Sequence, residues 1–344
     1  MKNIKNNRVT IKDIAKYSGY SIATVSRVLN DSGTFYSEET YRKVKKAISD
    51  LNYQPDAIAR GLKTRKTYNI AFIEPWNSEF FAEIFSGIQD AANENGYSVS
   101  IFISNFDKKQ EDRNINTVLS NRLDGVIMAS AVLDTNNVER LKAQNIPLVI
   151  IEKFIIDKDI PTISIKNLKI SKQAVNYLIS LGHKNVGFMG EPLEVGKVDS
   201  RFRGYKKALE DNSISFNQEL VFVDEKFRGE KFGSSYDYIV SNIERIKKCN
   251  ALFITSDKIA VTVIKALKNH GISVPEGMSI IGFDGLEISR FINPALTTVV
   301  QPKYEMGYEA MKLLLKVING QPCEDVELKA ELLIGDSTGK AMNV

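Results

Sequence analysis

From residue 67 onward the chain runs through one pattern twice, and that pattern leaves few folds open to it. Apolar stretches "YNIAFIEP", "YSVSIFIS", "DGVIMAS" and "PLVIIE" alternate with amphipathic stretches such as 78–95 and 111–121. The series then resumes, with "NVGFMG", "LVFVD", "ALFITSD" and "MSIIGFD" set between "VDSRFRGYKKALED", "FGSSYDYIVSNIERI" and "KIAVTVIKALKNHG". Short strands that are apolar on both faces and separated by helices belong in parallel sheets covered on both sides. Two such series in succession predict an α/β core of two lobes, each a parallel sheet flanked by helices. No G-x-G-x-x-G or Walker spacing joins a strand to its helix, so no nucleotide cradle is marked and no cofactor is expected.

Residues 1–66 differ in kind. They hold 14 Lys and Arg against 6 Asp and Glu, a net +8, whereas the remainder holds 32 against 36, a net −4. A small basic head on a mildly acidic body is the footprint of a polyanion binder. Within it, "VTIKDIAKYSGYSIATVSRVLN" packs two helical periodicities around a Ser-Gly break. Thr10 caps the first helix, with Ile11, Ile14 and Ala15 on one face; Gly19 supplies the turn; Ser21 caps the second, with Val25, Val28 and Leu29 inward. That is a helix-turn-helix. The outward face of its second helix carries Ile22, Ala23, Ser26 and Arg27, small and apolar groups for thymine methyls and an Arg for guanine. A third helix is expected over 37–51. "NYQPDAIARGLKTRKT" then reads as a short linker helix that needs a partner chain or DNA to hold it.

The combination of "TIKDIAKYSGYSIATVSRVLN" with "LNYQPDAIARGL" resembles the lactose and galactose repressor (LacI/GalR) family of bacterial transcription regulators, and later stretches such as "RFRGYKKAL", "SVPEGMSIIGFDG" and "PALTTVVQP" extend the resemblance along the whole chain. The resemblance implies a helix-turn-helix head at 1–53, a hinge at 54–66 and a periplasmic-binding-protein-like core at 67–344. The first lobe is expected over about 67–165 and 300–330, the second over about 166–299 and 331–344. It implies a homodimeric repressor on double-stranded operator DNA, controlled by a small-molecule effector, most simply a carbohydrate. A phosphorylated carrier protein as controlling partner is an alternative, and a plain sugar-binding protein is a weaker one. The DNA-contacting set is then Thr10, Ser21, Ile22, Ala23, Thr24, Ser26, Arg27, Asn30, Tyr53, Ala59 and Leu62, with Leu62 the hinge residue that wedges into the minor groove.

In parallel α/β sheets ligands bind outside the carboxyl ends of the strands. That rule selects Trp76, Phe80 and Phe81 after the first strand, with one of the phenylalanines, more readily Phe81, a core residue instead. In the second half it selects Arg201, Ser256, Asp257 and Asp284, and more weakly Phe227 and Gln301. By resemblance Arg201 and Asp284 hydrogen-bond the effector; the alternative is a salt bridge between lobes. Lys166 and Lys197 would suit an anionic effector, or are solvated surface lysines.

An enzyme is not expected. His183 and His270 both stand at helix ends, where a histidine caps carbonyls, and neither has a nucleophile or paired carboxylate at useful spacing. Cys249 and Cys323 are far apart and read as buried thiols, not as metal ligands or a disulfide. No apolar run approaches about 18 residues and no signal-peptide core is present, so a cytoplasmic protein with no membrane partner is expected.

Overall fold

The computed structural model describes residues 9–29, 36–54, 66–129, 135–152, 159–192, 200–230 and 232–342. The chain divides into two compact units, Met1–Thr67 and Tyr68–Val344.

The first unit is built on α1 (Ile11–Ser18), α2 (Ile22–Leu29) and α3 (Glu38–Asp50). Its helix ends are closed as the side chains allow. The Thr10 N–H and hydroxyl both donate to the Asp13 carboxylate, at 2.8 and 2.7 Å. Ser21 Oγ accepts the Thr24 N–H at 3.1 Å, and Ser37 Oγ accepts that of Thr40 at 3.2 Å. Between α1 and α2, Gly19 adopts φ 77, a left-handed conformation open to glycine at no steric cost. Helices of eight residues do not persist in isolation. These are held together by a shared core of Ile14, Ala15, Val25, Val28, Val44 and Ala47, all buried. Leu29 lies at its edge, half-buried.

In the second unit the strands, in chain order, are β1 (Asn69–Glu74), β2 (Ser98–Ile103), β3 (Val126–Ala129), β4 (Leu148–Ile151), β5 (Thr162–Ile165), β6 (Val186–Gly190), β7 (Val221–Val223), β8 (Ala251–Ile254), β9 (Ser279–Asp284), β10 (Thr297–Val300), β11 (Val326–Leu328) and β12 (Glu331–Leu333). They form two sheets, ordered β11-β5-β4-β3-β1-β2 and β12-β10-β9-β8-β6-β7. All pairs are parallel except β10 with β12. The helices are α4 (Glu79–Glu94), α5 (Lys108–Ser120), α6 (Thr135–Ala143), α7 (Asn167–Ser180), α8 (Ser200–Asp211), α9 (Phe232–Ser241), α10 (Ile243–Ile246), α11 (Asp257–Asn269), α12 (Ile288–Phe291) and α13 (Lys303–Ile318). Strand β1 buries both faces: Ile70 and Phe72 pack with Ile84 and Ile88 of α4, whereas Ala71 and Ile73 pack with Ile115 and Val118 of α5.

The chain passes between the lobes after β5, after β10 and after β11. All three passages lie at the same side of the two sheets. On the opposite side the edge strands are β2 and β7. Helix α13, although it follows a strand of the second sheet, packs on α4 and on β3, β4 and β5 of the first. It approaches α4 so closely that a Cβ on Gly307 would stand 1.9 Å from the Ile84 carbonyl oxygen, and one on Gly87 would stand 2.0 Å from that of Tyr304.

The structure departs from the sequence reading at three points. The single helix expected over "FGSSYDYIVSNIERI" is interrupted at Asn242, whose side-chain amide donates to the Tyr238 carbonyl at 2.9 Å and so competes with the helical ladder. The short strands β5, β10, β11 and β12 around the lobe passages fall outside the expected series. Cys323 is only partly buried, although Cys249 is 4% exposed and its thiol is pushed up to about 12 by burial. No described helix is long and apolar enough to cross a membrane.

Candidate functional site

Two sets of residues stand out, one in each unit. In the first, burying Val25 and Val28 turns Ile22, Ala23 and Arg27 outward, with Ile22 46% exposed and Ser26 half-buried beside them. Ser21 and Thr24 hold each other through their hydroxyls at 2.9 Å, so both shape the start of α2. Thr10 is likewise exposed at the start of α1. Tyr53 packs partly buried against the three-helix core. Asn30, Ala59 and Leu62, with the rest of the hinge at 55–65, lie outside the described residues, as does Lys197.

In the second unit Arg201 and Asp284 each sit in a hydrogen-bonded network at the strand ends. Arg201, from α8, donates through Nε to Asn167 Oδ1 at 3.0 Å and through Nη1 to the Thr255 carbonyl at 2.8 Å. Its guanidinium lies 3.8 Å from the centre of the Phe283 ring. Asn167 in turn donates to Glu152 Oε2 at 2.8 Å, which links the end of β4 in one lobe to the start of α7 in the other. Asp284, the last residue of β9, is 6% exposed, and its Oδ1 accepts from Gln301 Nε2 at 2.8 Å. The backbone of Asp284 sits at φ 110, a region that L-residues seldom enter. Its carbonyl is pinned there by Lys303 Nζ at 3.0 Å. Lys303, whose side chain is 3% exposed, also reaches the Gly285 carbonyl at 3.1 Å and Glu83 of α4 at 3.2 Å, so one buried ammonium joins both lobes.

Other nominated residues prove to be framework. Asp257 is fully buried: its Oδ2 accepts the Leu286 N–H at 2.7 Å and its Oδ1 accepts the Thr298 hydroxyl at 2.6 Å. Ser256 precedes it at the N-cap position of α11. Phe227 is buried in the core of the second lobe, edge-on to Tyr238 at 4.9 Å. Phe81 is 2% exposed, whereas Phe80 and Trp76 are half-buried around it, each ring meeting Phe81 edge-on at 5.1 Å. Lys166 pairs with Glu327 at 2.7 Å. Arg201 hydrogen-bonds to Asn167 and the Thr255 carbonyl, and Asp284 hydrogen-bonds to Gln301.

Two polar atoms at the nominated positions, Trp76 Nε1 and Gln301 Oε1, are enclosed without a hydrogen-bond partner in the protein. Glu74, at the end of β1, is 6% exposed, and burial pushes its carboxyl up to about 7. The sequence reading did not single out Glu74, Glu152, Asn167 or Lys303. For Glu74 a signal existed, since it is the one charge in "IAFIEP"; the reach of Lys303 across the lobes carries none.

The histidines serve structure. His183 Nε2 lies 3.0 Å from the Gly339 carbonyl and burial lowers its pKa, while His270 Nδ1 meets the Ala266 carbonyl at 2.8 Å at the end of α11. Among the described residues no group of His, Cys, Asp and Glu is arranged to hold a metal ion.

A helix-turn-helix head on a core of two parallel-sheet lobes with a polar crevice defines the class of ligand-controlled DNA-binding regulators. Residues 10–56 match the family of bacterial regulatory proteins of the lacI type, and residues 175–338 match the periplasmic binding protein-like domain. The chain is 33% identical over 333 residues to the HTH-type transcriptional regulator RegA of Clostridium saccharobutylicum, spanning 96% of this chain and 99% of that one. Among solved structures it superposes on the lac repressor dimer bound to operator and an anti-inducer with a TM-score of 0.81, at 23% identity, covering 97% of this chain and 100% of that chain. It superposes on the transcriptional regulator CelR in complex with cellobiose with a TM-score of 0.71, at 25% identity, covering 96% and 100%. The chain belongs to the lacI family of bacterial transcriptional regulators. It is a DNA-binding regulator and not an enzyme.

Proposed function

We propose that the chain acts as a homodimeric repressor whose α2 helices read an operator through Ile22, Ala23, Ser26 and Arg27, and whose crevice binds a neutral carbohydrate. The observation that carries the effector class is the make-up of the strand ends. Carboxylates of Glu74, Glu152 and Asp284 accompany the single guanidinium of Arg201, and Trp76 Nε1 and Gln301 Oε1 are left for a ligand to satisfy. An indole N–H, an amide oxygen and carboxylates are partners for hydroxyl groups, which donate and accept at once. The carboxylates of Glu152 and Asp284 disfavour a phosphate, and Lys166 is engaged by Glu327. The cellobiose bound by CelR supports the same reading.

Binding shifts the lobes, changes the spacing of the paired heads and so alters the population able to hold the operator. The test is a thermal-shift screen of the full chain against ribose, cellobiose, their phosphates and purine bases, repeated with Arg201→Ala and Asp284→Asn. A ligand at about 100 times its Kd stabilises the native state by about 2.7 kcal/mol. The expected result is a shift with a neutral sugar that both variants lose; a shift with phosphorylated sugars alone would overturn the effector class.

A further inference from the structure

We propose that Trp76, Phe106 and Arg228 form a gate across the mouth of the crevice, so that contact between these side chains sets how readily a ligand enters and leaves. Phe106 follows β2 and Arg228 follows β7, the two edge strands farthest from the three chain passages. Lobes joined along one side separate most at the other, so a contact at this place has the longest lever on opening. The contact is built from both lobes. Trp76 and Phe106 of the first stack at 5.0 Å with their planes 25° apart, and the Arg228 guanidinium of the second lies over the far lobe's Phe106, 5.4 Å from its ring centre.

The backbones are shaped to deliver it. Asn105 and Phe106 both take left-handed conformations, at φ 52 and φ 57, and two consecutive non-glycine residues there persist only when their surroundings hold them. Across the mouth, Gly229 at φ 69 bends the 225–230 segment, and a Cβ on it would stand 3.4 Å from Phe106 Cε2. Glu225 holds the Arg228 guanidinium at 3.0 Å, from its own lobe. A planar cation on a ring face gives an attraction that needs no buried hydrogen bond and is lost as soon as the surfaces part. Such a contact suits a gate better than a permanent tie.

The chain has a single tryptophan, and it stands in this stack. Acrylamide quenching of Trp76 fluorescence in the full-length protein therefore reports the gate without any effector, and the experiment stays informative whether or not the crevice binds a sugar. Arg228→Ala should raise the quenching constant roughly two- to five-fold, the factor expected for the loss of one cation–π contact. Arg228→Lys, which keeps the charge but not the planar face, should fall between. Lys312→Ala removes a cation–ring contact with Tyr308, 5.5 Å, away from the mouth and should match wild type. Wild-type quenching in Arg228→Ala with an unchanged circular dichroism spectrum would overturn the gate, as would an equal rise in Lys312→Ala. Should Arg228→Ala not fold, Arg228→Lys against Lys312→Ala decides the same question.

Discussion

At Glu74 burial decides the charge, and the charge has a consequence for stability. Its carboxyl titrates near 7 when folded, above its ordinary value of 4.5, because a nearly enclosed position penalises the anion. A folded pKa above the unfolded one means that the native state holds its proton longer. The contribution is fully present below about 4.5 and is lost as pH rises toward 7, by up to about 3 kcal/mol for a shift of this size. Urea denaturation at pH 5 and pH 8 should show this decline in wild type and a flatter profile in Glu74→Gln; parallel profiles would refute it. Arg27 works in the opposite setting, exposed on α2. Arg27→Ala should weaken operator binding by about 1–3 kcal/mol and relax one base position, seen in gel shifts as a fall in the ratio of operator to random-DNA affinity. Arg27 could be read from helical spacing alone, because exposure follows from burying Val25 and Val28. Glu74 could not, since its pKa depends on neighbours that the sequence does not place.

Helix α4 shows how far local signals carry. Its expected span of 78–95 differs from the observed Glu79–Glu94 only at the ends, because Ser78 caps it and its apolar positions recur at helical spacing. Nothing in that spacing says which helix lies against it. The partner, α13, begins more than 200 residues later, and the fit between them rests on Gly87 and Gly307 meeting backbone with backbone. Gly307→Ala should therefore cost several kcal/mol, since a methyl group 1.9 Å from the Ile84 oxygen forces the helices apart along their whole contact. Denaturant titration measures it. A loss below about 1 kcal/mol would mean that the two helices slide freely past each other. The strand ends were legible in the same partial way: the strand-end rule selected Asp284 and Gln301, which hydrogen-bond to each other, but it also took in Phe227 and Asp257, which are fully buried, because position after a strand does not reveal which way a side chain turns.

At the level of the whole molecule the basic head and the two-lobed core are separate compact units, divided between Thr67 and Tyr68. A chain beginning at Tyr68 should fold, sediment as a dimer and keep its thermal shift with effector, yet fail to retard operator DNA in a gel. A monomer in sedimentation would move the dimer contacts into the head. The residue at which the core begins is itself firmly set: the Tyr68 N–H donates to Asp124 Oδ2 at 3.0 Å, and its ring packs on Tyr97 at 5.4 Å. Tyr68 enters β1, and β1 is the neighbour of edge strand β2, remote from the three passages that join the lobes. The start of the core is thus placed far from the margin of the sheet at which the chain passes between the lobes. Should ligand binding turn the lobes about that margin, Tyr68 stands on the part of the first sheet that travels farther than the packing around Lys303.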